Sequence, residues 1–305
     1  MKGKSEDRWP LMAYLAVVLL MGFNPIGVHY TVLELPPFWG AMLRFAPASL
    51  IMFLIVFILR LPLPRGKTLR GAMIFGALNF GLSYALLYYG LKSVQPGMAT
   101  VLLSLVPLFT LLFAILHRQE RFRWRALAGS LLALTGIVVV FQEQLRFHVP
   151  LFSMLAVILG AVCLAEASVI VKSYPKSHPV TTNAVGMAVG AIIQFSASLI
   201  WQEKWSLPVR PVTWLALTFL ILFGSCLAFI LVLFVLKHWP ASTVSYQFVL
   251  MPFVSVTASA LLDKEILNPI LLVGAVLVLS GVFFGVIYTP RKPLPVEETP
   301  CATCE

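Results

Sequence analysis

The chain has 305 residues, of which 60% are hydrophobic and 11% are charged, and its mean hydropathy is +0.93. A soluble domain carries about 25% charged residues, so this composition excludes a water-soluble protein of this size. The formal net charge of +10 comes from basic residues scattered through short loops, which argues against nucleic-acid binding and is typical of a membrane protein. Apolar runs of about 20 residues predict helices that cross a ~30 Å bilayer core, and the alternating pattern of a membrane β-barrel is absent from the sequence.

The predicted fold is all-α and polytopic, with ten transmembrane helices in two halves. In the first half, residues 11–141, span one covers Leu11–Tyr30, span two runs from Pro36 to Leu59, and spans three, four and five end near Leu91, Leu116 and Phe141. In the second half, residues 149–288, spans six to ten cover Val149–Val171, Val180–Ile200, Val212–Leu236, Pro240–Leu262 and Leu267–Tyr288. Residues 289–305 are rich in Pro and Glu, and we expect a disordered cytoplasmic tail there.

Lys and Arg are distributed unevenly between the two sides of the predicted spans. The side that carries the N-terminus holds 16 of these residues, and the opposite side holds 5. Cytoplasmic loops of membrane proteins are enriched in Lys and Arg. The distribution therefore predicts a multi-pass protein of the cell membrane with both termini in the cytoplasm.

An internal repeat organises the chain, because Leu91–Val140 recurs at Leu236–Gly285. Four residue pairs keep an offset of 145 positions: Pro107 and Pro252, Glu120 and Glu265, Gly129 and Gly274, and Gly136 and Gly281. Such self-similarity indicates a duplicated unit. Since each half contains five spans, an odd number, the second half must enter the membrane in the opposite orientation. Inverted repeats recur among transporters, whose substrate site lies near the bilayer midplane between the halves.

Pro107 and Pro252 lie within spans four and nine at equivalent positions. A proline has no N–H for the carbonyl four residues earlier, here that of Leu103 or Phe248, and it bends its helix. The symmetric placement favours a pair of hinges. The alternative is a pair of packing kinks, since proline is common in membrane helices.

Two further pairs are interpreted as structural. Glu120 and Glu265 stand just before spans five and ten, where a carboxylate stabilises a helix N-terminus. Gly186 and Gly190 form a G-x-x-x-G pattern, which we interpret as tight packing inside the chain rather than as a dimer face.

Arg44 and Glu166 are the charged residues that lie deep within predicted spans. An Arg at mid-membrane costs at least about 2.5–3.5 kcal/mol, so Arg44 should face a wet cavity or a partner. It can attract an anionic group such as a substrate carboxylate, or it can tie span two to backbone carbonyls. A desolvated carboxylate at Glu166 can exchange a proton during transport. The alternatives are a pair with Arg44 or a neutral, hydrogen-bonded Glu166.

Other polar or amphipathic side chains at mid-span depth can line a cavity. Together with Arg44 and Glu166, the predicted substrate-binding set contains Asn24, Asn79, Tyr84, Tyr246 and Gln247. Each can instead bridge two helices, a contact worth about 1 kcal/mol. No cofactor or metal site is predicted, because Cys301 and Cys304 form a C-x-x-C without the second pair that a tetrahedral site requires.

These features resemble the EamA-type transporters of the drug/metabolite transporter superfamily. The matching pieces are Asn24-Pro25, Leu43-Arg44-Phe45, Leu91-Lys92, Val106-Pro107-Leu108, Glu120, Gly129 and Gly136, and then Leu236-Lys237, Met251-Pro252-Phe253, Glu265, Gly274 and Gly281. The resemblance implies ten helices as two inverted five-helix repeats, with spans one to four and six to nine around a cavity. It also implies alternating access, often in exporters of amino acids and related metabolites. In that pattern Arg44 resembles general scaffold, whereas Glu166 replaces an expected apolar or aromatic residue.

The predicted function is secondary transport of a small polar metabolite, such as an amino acid, with export as the expected direction. An antiporter of phosphorylated metabolites or nucleotide sugars is an alternative, but it would need several cations in its cavity. A membrane-embedded enzyme is the alternative from another class, and the sequence lacks paired intramembrane Asp residues, H-E-x-x-H and G-x-S-x-G. The expected partners are a small-molecule substrate, coupled protons and the lipid bilayer.

Overall fold

A computed structural model describes residues 8–94, 96–120 and 150–263, with scattered residues between 122 and 139 and between 273 and 281. Regular secondary structure in these ranges is helical throughout. Most of predicted spans five and ten, Glu265, and the predicted tail at 289–305 lie outside the described residues.

Eight helices in the described ranges follow predicted spans one to four and six to nine. In chain order they are α1 (Arg8–Val32), α2 (Pro37–Ile58), α3 (Lys67–Gly90), α4 (Pro96–Leu103 continued by Val106–Leu116), α5 (Leu151–Ser173), α6 (Pro179–Ile200), α7 (Pro211–His238) and α8 (Ala241–Ser245 continued by Gln247–Asp263). Six of them, all except the two-part helices α4 and α8, are long and apolar enough to cross a membrane. The chain is therefore a multi-pass helical membrane protein.

Local sequence explains where several helices begin and end. Pro37, Pro179 and Pro211 open α2, α6 and α7, positions where the fixed φ of proline fits and its missing N–H costs nothing. Arg60 and Gln202 follow α2 and α6 with φ of 49° and 51°, and a residue in this left-handed region ends a helix.

The helices α3 and α7 each contain a π-helical segment. It covers Ala77–Leu82 in α3 and Leu220–Leu227 in α7. The offset of 145 residues seen in the sequence repeat superposes the α3 segment on the last six residues of the α7 segment. π turns are rare and concentrate at functional sites. The duplication therefore extends to an unusual local backbone geometry, beyond the matching prolines and glycines.

The loops gather at two ends of the helix bundle, which we call end A and end B. End A contains residues 33–36, 91–94 and 201–210, and end B contains residues 59–66, 117–120, 174–178 and 239–240. At end A, the Glu203 carboxylate accepts hydrogen bonds from the backbone N–H groups of Phe38 and Trp39 at 3.2 and 2.8 Å. At end B, the Lys172 ammonium donates to the Trp239 carbonyl at 2.6 Å.

The first helix of each half runs in opposite directions between these ends. α1 begins at end B, where the rings of Tyr14 and Trp239 lie 5.4 Å apart, and it finishes at end A. α5 begins near Gly90, whose closest neighbours include the Ser153 carbonyl and the Val157 side chain. It finishes at end B.

Close backbone contact joins α3 to α6. A Cβ atom on Gly76 would overlap the Cα and carbonyl oxygen of Gly186, and one on Gly190 would overlap Phe80. The G-x-x-x-G pattern thus packs inside the chain, which confirms the interpretation from the sequence. Glu120 contacts a different helix from the one predicted: its carboxylate accepts hydrogen bonds from the backbone N–H and the hydroxyl of Ser242 in the first turn of α8, whereas the sequence predicted this role at the start of span five.

Candidate functional site

Arg44 lies in the middle of α2, and its side chain is completely buried. Its Nε donates a hydrogen bond to the Ser225 hydroxyl at 2.8 Å, and its Nη2 donates to the Gly224 carbonyl at 3.0 Å. Both partners belong to the π segment of α7. The third nitrogen, Nη1, has no hydrogen-bond partner among the described residues. Arg44 therefore links the first half to the second and keeps one donor nitrogen available.

Asn24 and Tyr84 complete the surroundings of Arg44. Pro25 lies in the first turn of the second part of α1, and this places Asn24 at an interruption of that helix. The Asn24 amide donates to the same Gly224 carbonyl at 3.2 Å. The guanidinium carbon lies 4.9 Å from the ring centroids of both Phe45 and Tyr84. A cation–π contact of this kind contributes about 2 kcal/mol when it is desolvated, so these rings and hydrogen-bond acceptors offset part of the cost of burying the charge.

A small cavity adjoins this cluster and is lined by residues from both halves. Asn24 and Tyr84 line it on one side, and Phe248 and Met251 of α8 line it on another. Tyr88 also contributes to the wall, and its buried hydroxyl has no partner among the described residues. The cavity volume is about 40 Å³, so the space between the halves is small in this conformation.

A second polar contact crosses between the halves in a related way. Gln194 of α6 donates from Nε2 to the carbonyls of Phe80 and Gly81 at 3.1 and 2.8 Å. These carbonyls lie in the π segment of α3. By the 145-residue offset, this segment is equivalent to the part of α7 that Arg44 contacts. Each half thus uses a side chain of its second helix to bind the π segment of the other half. We call this arrangement the crossed brace.

Glu166 does not contact Arg44 and pairs instead with His117 at the end-B terminus of α4. The Nε2 of His117 and the Oε1 of Glu166 lie 2.8 Å apart, with side-chain exposures of 32% and 22%. The other carboxylate oxygen, Oε2, is buried without a partner among the described residues. The structure therefore separates the two charged residues into a central cluster and a pair near end B.

The remaining predicted residues lie outside the cavity wall. Asn79 is buried in the π segment of α3, and its Nδ2 has no partner in the described part of the chain. Tyr246 lies close enough to Tyr14 for an electrostatic interaction, on the end-B side. Gln247 begins the second part of α8, and its Oε1 is buried without a described partner.

Pro107 and Pro252 lie near a contact between α4 and α8. α4 is interrupted at Ser104, just before Pro107, whereas α8 is interrupted earlier, at Tyr246, and is helical through Pro252. The Phe248 carbonyl, which Pro252 deprives of its usual N–H partner, accepts a hydrogen bond from the Ser104 hydroxyl at 3.2 Å. The carbonyl that the sequence marked as free is thus used to join the two halves.

At end A, a carboxylate and aromatic side chains join the two halves. The rings of Trp39 and Trp205 stack with centroids 5.8 Å apart, and the Trp39 indole donates to the Ser206 carbonyl at 2.7 Å. The Glu34 carboxylate accepts hydrogen bonds from the Thr213 hydroxyl and from the Val209 backbone N–H. These contacts lower the pKa of Glu34, with the Thr213 hydroxyl as the largest cause.

Acidification is expected to weaken the contacts of Glu34. Because the pKa of Glu34 is lower in the folded protein than its ordinary value, its stabilising contribution is present above the ordinary value and is lost as the pH falls through the folded pKa. We expect Glu34→Gln to remove this part of the pH dependence of the unfolding temperature between about pH 5 and pH 3. Parallel curves for the variant and the parent protein would contradict the assignment.

The sequence matches a known protein family and several of its members. The EamA-like transporter family profile matches residues 8–142 and 151–287. The uncharacterized transporter YoaV of Bacillus subtilis (strain 168) is 24% identical over 289 residues, which cover 92% of this chain and 98% of that protein. The probable amino-acid metabolite efflux pump of Escherichia coli (strain K12) is 25% identical over 283 residues, which cover 89% and 93%.

A solved crystal structure has the same fold, with a TM-score of 0.72 and 19% sequence identity, and the match covers 91% of this chain and 96% of that one. The family and these named relatives are transporters rather than enzymes. Since two copies of the family profile together span most of the sequence, the chain belongs to the EamA-like transporter family.

Proposed function

We propose that this membrane transporter is a secondary exporter of amino acids or related small polar metabolites and that it works by alternating access. The observation that carries the proposal is the buried Arg44, which has one nitrogen without a partner among the described residues and whose neighbours Asn24 and Tyr84 line a cavity between the two halves. A guanidinium binds carboxylates with strong, directional hydrogen bonds. The relative named as an amino-acid metabolite efflux pump supports the same substrate class.

The rest of the site suits a zwitterion better than a phosphate ester. Among the described residues, Arg44 is the single Lys or Arg that lies away from both ends of the bundle, and a phosphate group would call for several cations. The ring of Tyr88, which lines the cavity, can receive an ammonium group. The Tyr88 hydroxyl supplies a further hydrogen bond once a substrate is present.

The proposed topology has ten spans in two inverted five-helix repeats, residues 11–141 and 149–288. The opposite directions of α1 and α5 and the equivalent π segments of α3 and α7 support it. Inverted repeats place a substrate between two similar bundles that rock against each other. The crossed brace and the Ser104–Phe248 contact lie at that interface.

We assign end B to the cytoplasm, together with both termini. Of the Lys and Arg residues that the structure describes, nine lie at end B and three at end A. Cytoplasmic loops are enriched in these residues. Glu166 and His117 then lie on the cytoplasmic side of the central cluster, where a proton can pass between carboxylate and imidazole during the return step.

The first test is direct transport by the purified chain in proteoliposomes. We expect saturable uptake of labelled amino acids, with or without a pH gradient, and no uptake of sugar phosphates or nucleotide sugars. Uptake of phosphorylated compounds alone would assign the antiporter function instead. No transport of either class would contradict the proposed substrate class.

Glu166→Gln is expected to lower proton-driven transport about tenfold or more while exchange of substrate for substrate continues, because the amide cannot carry a proton. The readout is uptake with and without an imposed pH gradient. Gln119→Ala is a matched control, since Gln119 also joins the end of α4 to α5, through Val169 and Ser173, but carries no charge. Unchanged gradient-driven uptake in Glu166→Gln would remove Glu166 from the coupling mechanism.

A further inference from the structure

A second cavity, separate from the central one, lies at end B among α3, α5, α6 and α7. Its volume is about 190 Å³, several times the roughly 30 Å³ of a water molecule. Its lining residues include three lysines and four residues with hydroxyl groups: Lys172, Lys176, Lys237, Thr68, Tyr174, Ser177 and Thr182. None of the lining residues in the described part of the chain is acidic.

The three lysines form one electrostatic group. Lys176 interacts electrostatically with both Lys172 and Lys237. The Lys172 ammonium is held in place by its hydrogen bond to the Trp239 carbonyl at 2.6 Å. Glu120, the carboxylate that acts on Lys172, is already bound to the N-terminus of α8 through Ser242. The positive charge in the cavity therefore lacks a matching carboxylate in its wall.

The rest of the wall is apolar. Leu233 and Leu236 of α7 are buried and line the cavity beside the lysines. Lys172 and Lys237 lie in the last turns of α5 and α7, the depth at which lipid headgroups meet the protein. Basic pockets between transmembrane helices at this depth bind phosphate-bearing lipid headgroups.

We propose that this end-B cavity binds a phosphate-bearing anion, with the headgroup of an anionic phospholipid as the occupant that its position favours. The phosphate oxygens contact the three ammonium groups and the neighbouring hydroxyls, and the glycerol part lies on Leu233 and Leu236. The occupant joins α3, α5, α6 and α7 at the cytoplasmic end. This site does not depend on which compound the central cavity transports.

The test measures binding to the purified full chain by thermal unfolding and by native mass spectrometry. Three ligands are compared: phosphatidylglycerol, phosphatidylcholine and soluble glycerol 3-phosphate. We expect phosphatidylglycerol to bind and to raise the unfolding temperature. In Lys176→Gln/Lys237→Gln we expect its affinity to fall about 30-fold, because each lysine near a membrane surface contributes roughly fivefold.

The matched control is Lys92→Gln/Lys204→Gln, which removes the same charge from exposed positions at end A and should leave the affinity unchanged. Preference for phosphatidylglycerol alone assigns the site to a lipid headgroup, and saturable binding of glycerol 3-phosphate that depends on the same lysines assigns it to soluble phosphate esters. Equal affinities for the two double variants, or equal binding of phosphatidylcholine, would overturn the proposal.

Discussion

Arg44→Ala is expected to abolish most transport and to destabilise the fold as well. The loss of one charge-assisted hydrogen bond to a substrate carboxylate, worth about 1.5–3 kcal/mol, corresponds to a roughly 10- to 150-fold fall in transport efficiency. The variant also loses two such bonds, to Ser225 and Gly224. Removing a charge from the membrane interior returns about 2.5–3.5 kcal/mol, so the net destabilisation is at most about 3 kcal/mol.

Two further variants separate the structural part of this effect from the substrate contact. Ser225→Ala removes the bond to Nε and leaves Nη1 unchanged, so we expect a small loss of stability with transport largely retained. Arg65→Ala, at an exposed position of end B, should change neither property. Initial uptake rates measure the loss of the substrate contact, and unfolding temperatures measure the loss of stability. Normal transport by a folded Arg44→Ala protein would exclude Arg44 from the substrate site.

Among glycine-to-alanine substitutions at the helix interfaces described above, Gly76→Ala is expected to destabilise the protein most. The new Cβ would overlap backbone atoms of Gly186, which cannot rotate away, so α3 and α6 must separate. Overpacking typically costs about 1–3 kcal/mol and more when a backbone must move. We expect a loss of about 3 kcal/mol or more, measured as a lower unfolding temperature and a smaller monodisperse fraction in detergent.

The opposite member of the same contact provides the control. A Cβ on Gly186 would approach the Phe80 ring at 3.2 Å and the Gly76 Cα at 3.3 Å, and a ring can shift slightly. We therefore expect Gly186→Ala to cost about 1 kcal/mol or less. If Gly186→Ala instead disrupted an oligomer while Gly76→Ala was tolerated, the G-x-x-x-G pattern would be a dimer face after all.

The sequence predicted the helices well because burial in lipid imposes long apolar runs that need no partner to be recognised. The same apolar runs placed Arg44 deep in the membrane. Because a charge there must be compensated, the sequence also predicted that Arg44 has a partner or faces a wet cavity. Its acceptors could not be predicted. One is the carbonyl of Gly224, and backbone carbonyls leave no mark in the sequence. The other is Ser225, an ordinary residue more than 180 positions further along the chain.

Glu166 shows a second limit of the sequence. It lies inside span six, as the sequence predicts, but its pairing with His117 was not predicted. Small differences in helix length decide whether two such side chains meet. The π segments were also missed, because the hydropathy of Ala77–Leu82 does not differ from that of a normal helix. Once one π segment is known, aligning the two halves of the sequence predicts the position of the other. The alignment alone does not reveal either segment.

The crossed brace has a consequence for how this protein can change over evolution. The guanidinium of Arg44 and the amide of Gln194 each donate hydrogen bonds to the π segment of the other half. The two halves therefore differ chemically at this position, and one cannot replace the other. A lineage that changed its substrate preference by replacing Arg44 would lose both hydrogen bonds from α2 to the π segment of α7, and Asn24 would be the remaining side-chain donor to the Gly224 carbonyl. Diversification is therefore easier at Tyr88, Phe248 and Met251, whose side chains border the cavity without supporting the other copy's backbone.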